Sequence, residues 1–431
     1  MNVPAVPGLS RTVLRVRLGD APADGAVART DDRADTLPAP CGGHLTAADD
    51  ASLTLTRIDG TEPAGLGLLT DGGDTCTYDP PVLDSVITPR LVASRTRTSA
   101  VRTVLELDAV LDLPIELAPD RQSRSEQTTA IPVRIEVTRW QGDPLLRWHI
   151  TFDNTARDHR LRFHAPTARA ADTCTGDGQW CLTERPVRPD LGPLPTDRGH
   201  EAVCGSAPVQ SLNAVGRGTD RTAVLAPGLP EMRALTGTET ATGAEQEIVV
   251  TLLRSVGWLS RFDLRSRTTG AGPMLATPEA QCRGPQTFDL ALALGDAAAT
   301  DTGLTRRTAV FRTSLRAWQL RPGTTAEPSL GAIRVDGALL SALKPAENRD
   351  GLILRLSDPT PAACEARVTA PAGTLLLPVR LDEQPTGQQA VLQGTAVSTW
   401  HLAPFDTLTL QIGRPGRRGR AGSGPAGRTH H

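Results

Sequence analysis

The side chains in this chain that could carry chemistry are few in kind and poorly spaced for most of it. Histidine occurs at His44, His149, His159, His164, His200, His401, His430 and His431. A catalytic zinc ion takes three protein ligands at suitable spacing, yet the chain contains no H-x-H, no H-E-x-x-H and no H-x-D. His159 and His164 lie five apart along an apparent strand, which turns them to opposite faces. Each histidine reads as structural, and no metal ligand is assigned. The cysteines are Cys41, Cys76, Cys174, Cys181, Cys204, Cys282 and Cys364, with no C-x-x-C among them, which argues against a zinc knuckle or a thioredoxin-like pair. Cys174 and Cys181 could close a short loop, but an odd number of cysteines behind no leader reads as reduced, structural thiols. Lys344 is the one lysine and follows Leu343, so a Gly-Lys phosphate loop is excluded and a Schiff base could form only there. No G-x-S-x-G elbow occurs, and Gly65 and Gly67 form a lone G-x-G that opens no helix. Carboxylates are plentiful, but spacing alone singles out no acid–base pair at the separation of roughly 5–9 Å that glycosidases use. No catalytic residue is assigned.

The elements that would position any site are strands. In "LRWHITF", Leu146, Trp148, Ile150 and Phe152 fall on one face, with Arg147, His149 and Thr151 on the other. Ile131, Val133, Ile135 and Val137 alternate in the same way, as do Leu105, Leu107, Ala109 and Leu111, then Leu352, Leu354 and Leu356, then Leu408, Leu410 and Ile412. Period-two patterning between turn residues describes antiparallel strands with one buried face. Helical patterns are weak: "TSLRAW" and "GALLSALK" read as short helical turns. The 35 prolines and 40 glycines are spread throughout, which long helices would not tolerate. The expectation is an all-β chain of sandwiches. Trp148 reads as core; Trp140, Trp180 and Trp400 border turns and are better placed for exposure.

A length of 431 residues suggests two or three domains. The reading is a linker and entering strand at 1–20, the bulk at 21–300, a seam at "GDAAATDTGLTRR", a second β unit at 301–413, and a Gly/Arg-rich disordered tail at 414–431. With 39 % apolar residues, 22 % charged residues and a net charge of −2, the chain reads as globular, with no global field for nucleic acid or an anionic membrane. No apolar run reaches the length of a membrane span and no signal peptide opens the chain, so a cytoplasmic location is expected.

Beyond these patterns, the segment "LLRSVGWLSRFDLRSRTTGAGPMLATPEAQCRG" from Leu252 to Gly284 resembles a block found in bacterial family 38 glycoside hydrolases, the α-mannosidase family. Other blocks follow in the family's order. "DGGDTCTYDPP" (Asp71 to Pro81) is similar to its D-x-GD-x-Y-x-x-x-PP stretch, and "FDNTARDHRLRF" (Phe152 to Phe163) to its N-x-A-x-DHRLR turn and strand. "RTAVLAPGLPEMRAL" (Arg221 to Leu235) and "LSALKPAENRDGLILRLSD" (Leu340 to Asp358) resemble two further blocks. The resemblance spans roughly residues 5 to 412. It implies the family's C-terminal, post-catalytic region: a large galactose-mutarotase-like β-supersandwich with a smaller C-terminal β-sandwich.

The resemblance also implies that zinc, the nucleophilic aspartate and the acid–base carboxylate belong to a catalytic domain absent from this chain, so the chain alone is expected to be inactive and to need no cofactor of its own. For substrate contact it offers Asp74 and Tyr78 in the Asp71–Pro81 loop and Arg221 at the start of a strand. Asp74 and Tyr78 read equally as turn-capping groups. Arg254 and Arg261 read as structural, pairing with carboxylates across strands. "DHRLR" reads as a turn in which Asp153 and Asn154 supply acceptors before His159 and Arg160 enter a strand. The implied function is the C-terminal portion of an α-mannosidase-like enzyme, with a mannose-containing carbohydrate and a separate N-terminal catalytic half as partners. The alternatives are a freestanding carbohydrate-binding or scaffold protein, or an inactive gene fragment.

Overall fold

In a computed structural model, residues 29–413 are described apart from 32–35, 39–43, 50, 52, 58–59, 82–83, 189–200, 238–239, 241–243, 314–332, 348–350, 372, 388–390 and 393–396. The expected lead at 1–20, the tail at 414–431, Cys41 and most of "TSLRAW" lie outside the described residues. The chain forms two compact units, one of residues 29–179 with 183–313 and one of 333–413 with 180–182. No helix among the described residues is long and apolar enough to cross a membrane.

The larger unit is built of two extensive antiparallel sheets. A ten-stranded sheet has its long central strands at Arg102–Pro114, Thr128–Trp140, Leu145–Asn154 and Gly284–Leu294, paired in that order. An eight-stranded sheet places Glu231–Thr236, Gln246–Ser255, His159–Pro166 and Gly60–Thr70 side by side. The alternation read from the sequence decides which faces meet. Leu105, Leu107, Leu111, Ile131, Ile135, Val137, Leu146, Trp148 and Ile150 from the first sheet share one buried cluster with Leu161, Phe163, Ile248 and Val250 from the second. Trp148 and Phe163 meet edge to face, ring centroids 4.9 Å apart, a geometry favoured by the aromatic quadrupole. Trp148 is thus core, while Trp140 and Trp180 are exposed and Trp400 is half-buried.

The smaller unit is a second sandwich, of five and three strands. Leu354, Leu356, Leu376 and Leu410 of the larger sheet cluster with Ala366, Val368 and Leu402 of the smaller. The chain is all-β, as read, with two local exceptions. "GALLSALK" is not a helical turn: Leu339–Pro345 is a strand paired with Leu352–Ser357, and an irregularity between Leu340 and Ala342 breaks the alternation that would have revealed it. The "TDTGLTRR" stretch holds an α-helix, Asp301–Arg312, capped by the Thr300 hydroxyl accepting from Gly303 N. This helix belongs to the larger unit, and the division between units falls after Ser314.

Candidate functional site

The Asp71–Pro81 loop leaves the end of strand Gly60–Thr70 and is held in one shape by arginines from a segment almost two hundred residues later. Asp74 is fully buried. Its Oδ1 accepts from Cys76 N and Thr77 N, both at 2.9 Å, and its Oδ2 accepts from Arg261 N at 2.7 Å and from Arg267 Nη2. Four donors, one from a buried guanidinium, satisfy the carboxylate completely. Asp71, also buried, accepts from Arg254 Nε at 2.8 Å and from Gly73 N at 3.0 Å. Burial still outweighs Arg254, and the Asp71 carboxyl is held above the usual range. Arg254 donates in addition to Asp74 O at 3.0 Å. Thr77 Oγ1 donates to Glu201 at 2.8 Å and accepts from Arg267 Nε at 3.3 Å. Gly73 has to be glycine, since a Cβ there would sit 1.9 Å from Thr77 O.

Arg254 and Arg261 were expected to pair across strands. They instead serve this loop: Arg254 grips Asp71, and Arg261 gives its backbone N–H to Asp74 while its side chain makes a two-pronged bond to Asp263 at 2.8 Å and stacks over Trp258. The turn before strand His159–Pro166 also differs from its reading. Asn154 acts through its amide as a donor, to Ser255 Oγ and to the carbonyls of Gln281 and Cys282. The acceptor is Asp158, left-handed at φ 52°, which takes Gln281 Nε2 at 2.8 Å.

What this frame presents is Tyr78. Its half-buried ring lies under the Arg160 guanidinium, 4.5 Å from centroid to Cζ, a cation–π contact. Arg160 is held in turn by Glu231 at 2.6 Å and by Thr251 Oγ1. Burial pushes the Tyr78 phenol up to about 12, so it is a protonated donor at neutral pH. Its hydroxyl makes no hydrogen bond with the described residues.

Strand His159–Pro166 continues this polar surface. Leu161, Phe163 and Ala165 enter the core, so Arg160, Arg162 and His164 face the other way, yet all eight residues of the strand are buried. His164 Nδ1 lies 2.8 Å from Glu247. Gly67 leaves room for that ring, since a Cβ there would meet His164 Nε2 at 2.7 Å. Arg162 has no hydrogen bond and no ion pair with the described residues, and its Nε is sealed from solvent. Burial first, then Arg160, pushes its guanidinium down to about 10.

Arg221 is not brought to this loop by any contact among the described residues. It precedes strand Thr222–Leu225 of the ten-stranded sheet and pairs, itself buried, with Asp301 at 2.6 Å at the start of the helix. Asp74 and Tyr78 do share the site, but differently: Asp74 shapes the loop from inside, whereas the half-buried Tyr78 stacks on Arg160 with its hydroxyl unbonded to any described residue. Sequence reasoning missed Asp71, Arg160, Arg162 and Arg267. Alternation of Arg160, Arg162 and His164 was the available signal, but it describes a solvated strand face equally well.

Two cavities, of about 470 and 530 Å³, are lined by other residues, Asp172, Arg188, Glu245 and Gln246 among the first and Arg134, Phe152 and Gln286 among the second. Neither includes Tyr78, and the chemistry of the loop carries more weight than their size. Beside the loop, the segment that holds it exposes Leu259, Phe262, Met274 and Leu275. Thr75 Oγ1 donates to Leu259 O at 2.6 Å, so loop and apolar segment are joined directly. No three His, Cys, Asp or Glu side chains among the described residues form a group able to hold a metal ion. Lys344, in the smaller unit, pairs with Glu347 and Glu383 at 2.7 and 2.6 Å, which raises its pKa, the opposite of what a Schiff-base lysine needs.

No protein-family profile matches the chain. A curated protein of Halalkalibacterium halodurans, named "Putative mannosylglycerate hydrolase", is 30% identical over 251 residues, which are 56% of this chain and 24% of that protein. An α-mannosidase from Enterococcus faecalis V583 superposes with a TM-score of 0.67 at 20% identity, covering 88% of this chain and 42% of that one. A family 38 glycosyl hydrolase from Enterococcus faecalis superposes with a TM-score of 0.68 at 20% identity, covering 91% and 45%. The chain therefore spans a quarter of the curated relative and less than half of either solved structure. The resemblance to family 38 glycoside hydrolases read from the sequence holds, and it is a resemblance to part of such a protein.

Proposed function

We propose that this chain is the sugar-facing β module of an α-mannosidase-like glycoside hydrolase, and that it supports α-mannoside hydrolysis performed by a separate catalytic half. The observation that carries this reading is the Asp71–Pro81 loop, fixed by Asp71, Asp74 and three arginines so that Tyr78 is held with an unanswered hydroxyl. A phenol held under a buried arginine is a ready partner for a sugar hydroxyl, because its position costs little ordering on binding. Asp74 contributes by positioning the loop. Arg221 contributes by tying its strand to the helix through Asp301. The apolar segment around Leu259 and Phe262 is a surface of the kind that a partner covers, which favours a catalytic half over a freestanding binding protein. Zinc, nucleophile and acid–base carboxylate are assigned to that half. No disulfide joins any two of the six described cysteines.

Two measurements test this. Purified chain with zinc and p-nitrophenyl α-mannoside is expected to give no turnover, and addition of a catalytic half is expected to give turnover that falls in Tyr78→Phe. Titration with methyl α-mannoside is expected to show saturable binding that Tyr78→Ala removes. Robust zinc-dependent turnover by the chain alone would overturn the division of labour. Saturable binding with no stimulation of any catalytic half would instead favour a freestanding carbohydrate-binding protein.

A further inference from the structure

The ten-stranded sheet turns two rows of polar side chains away from the shared core, and both rows cross the same four strands. The register sets their members directly opposite one another: Glu106, Glu136, His149 and Asp289 in one row, Asp108, Arg134, Thr151 and Thr287 in the next. Leu107, Ile135, Ile150 and Phe288, the residues between the two rows, point into the core, so both rows face outward.

The first row answers itself. Glu106 is buried and paired with Arg95, Arg97 and Arg134. Glu136 accepts from Arg134 Nε at 3.0 Å, and His149 Nδ1 lies 2.8 Å from Asp289. The second row is left open. Asp108 comes only within 4.0 Å of Arg95. Thr151, Thr287 and the exposed Asp153, the next outward residue after Thr151, make no hydrogen bond to the described residues through their side chains. A cavity of about 530 Å³ opens over this second row, with Asp108, Arg134, Thr151, Asp153 and Thr287 in its lining. Neighbouring strands run about 4.8 Å apart, so the row from Asp108 to Thr287 is about 14 Å long.

The lining selects a kind of ligand. Two carboxylates without bonded partners accept hydrogen bonds and repel an anion, and two hydroxyls can donate or accept. Arg134 brings no spare charge, since two glutamates already hold it. Pro132 and Pro285 add apolar surface at the same cavity. A long, uncharged molecule that carries hydroxyls on a C–H framework meets all of these groups, whereas a monosaccharide would reach only part of the row.

We propose that this groove binds a neutral oligosaccharide laid across the four strands, with Asp108 and Asp153 accepting from its hydroxyls and Thr151 and Thr287 completing the contacts. The groove is a different site from the Asp71–Pro81 loop. Tyr78 stacks on Arg160 over the outer face of the eight-stranded sheet, and the core of the larger unit separates that face from this one. The inference therefore stands without the mannoside reading of Tyr78.

The test is calorimetric titration of the full chain with mannotriose, maltotriose and cellotriose, and with methyl α-mannoside and spermidine for comparison. At least one trisaccharide is expected to bind the native chain and Tyr78→Ala alike. Asp153→Ala is expected to weaken that binding roughly tenfold while leaving the melting midpoint and any binding of methyl α-mannoside unchanged, because Asp153 has no bond to lose. Trisaccharide binding that disappears in Tyr78→Ala and survives in Asp153→Ala overturns the groove and leaves the mannoside reading standing. Binding that depends on Asp153, with no methyl α-mannoside bound, upholds the groove and sinks the mannoside reading. Spermidine bound through Asp153 with no trisaccharide bound would make the groove a cation site and overturn the proposal, as would failure of all three trisaccharides to bind.

Discussion

Asp74 and Arg162 are both buried ions beside the same tyrosine loop, and they are treated in opposite ways. Asp74 has four donors aimed at its two oxygens, two from the loop itself and two from the Arg261–Arg267 segment. The Arg162 guanidinium, on strand His159–Pro166, finds no acceptor among the described residues. The first arrangement is how a fold secures a buried charge for its own architecture. The second leaves a buried charge that neighbours such as Glu247 and Tyr78 act on only through space, without a bond among the described residues. Burial of a charged group therefore says little about its role until its partners are counted.

The comparison can be broken or sharpened by experiment. Asp74→Ala leaves Arg267 buried without its anion and the Cys76 and Thr77 amides unsatisfied. A loss of about 3–5 kcal/mol is expected in denaturant unfolding, and a loss near zero would remove Asp74 from the architectural side. His159, on the same strand as Arg162, tests a third treatment, burial in neutral form. Burial pushes its pKa down to about 4, so between pH 6.5 and 4 the unfolded chain takes up a proton that the fold refuses. Stability is expected to fall by about 3 kcal/mol as pH drops through that window, and His159→Gln should flatten the slope. Arg162→Met moves in the other direction, with an expected gain of about 1–3 kcal/mol from removing a buried group whose donors lack partners. Tyr78→Phe is expected to change stability by no more than about 0.5 kcal/mol, because the ring keeps its contact with Arg160 and the hydroxyl loses no bond. A large loss there would mark the hydroxyl as structural.

The strands were legible because one face of each meets a core: Leu146, Trp148 and Ile150 alternate and are all buried. The helix Asp301–Arg312 was not, because Gly303 and its threonines disfavour helix. It forms with Thr305 and Thr308 returning their hydroxyls to the carbonyls of Asp301 and Leu304. At the site, the loop and Tyr78 were visible as a motif. The grip on them was not, since Arg254 and Asp71 lie 183 positions apart and nothing local couples them. Arg160, Arg162 and His164 carry the pattern of a wetted strand face, and their burial involves residues far away in sequence, such as Tyr78 against Arg160 and Glu247 against His164.

Lys344 brings a practical consequence. As the only lysine of the sequence, held by Glu347 and Glu383 in the smaller sandwich, it is the one side chain that an amine-directed reagent can acylate. The two carboxylates keep it protonated and slow at neutral pH, so labelling should need alkaline conditions. A fluorophore or surface tether introduced there would leave every side chain of the larger sandwich, Tyr78 and Arg162 included, chemically untouched, giving an immobilised form of the chain with its Asp71–Pro81 loop unmodified.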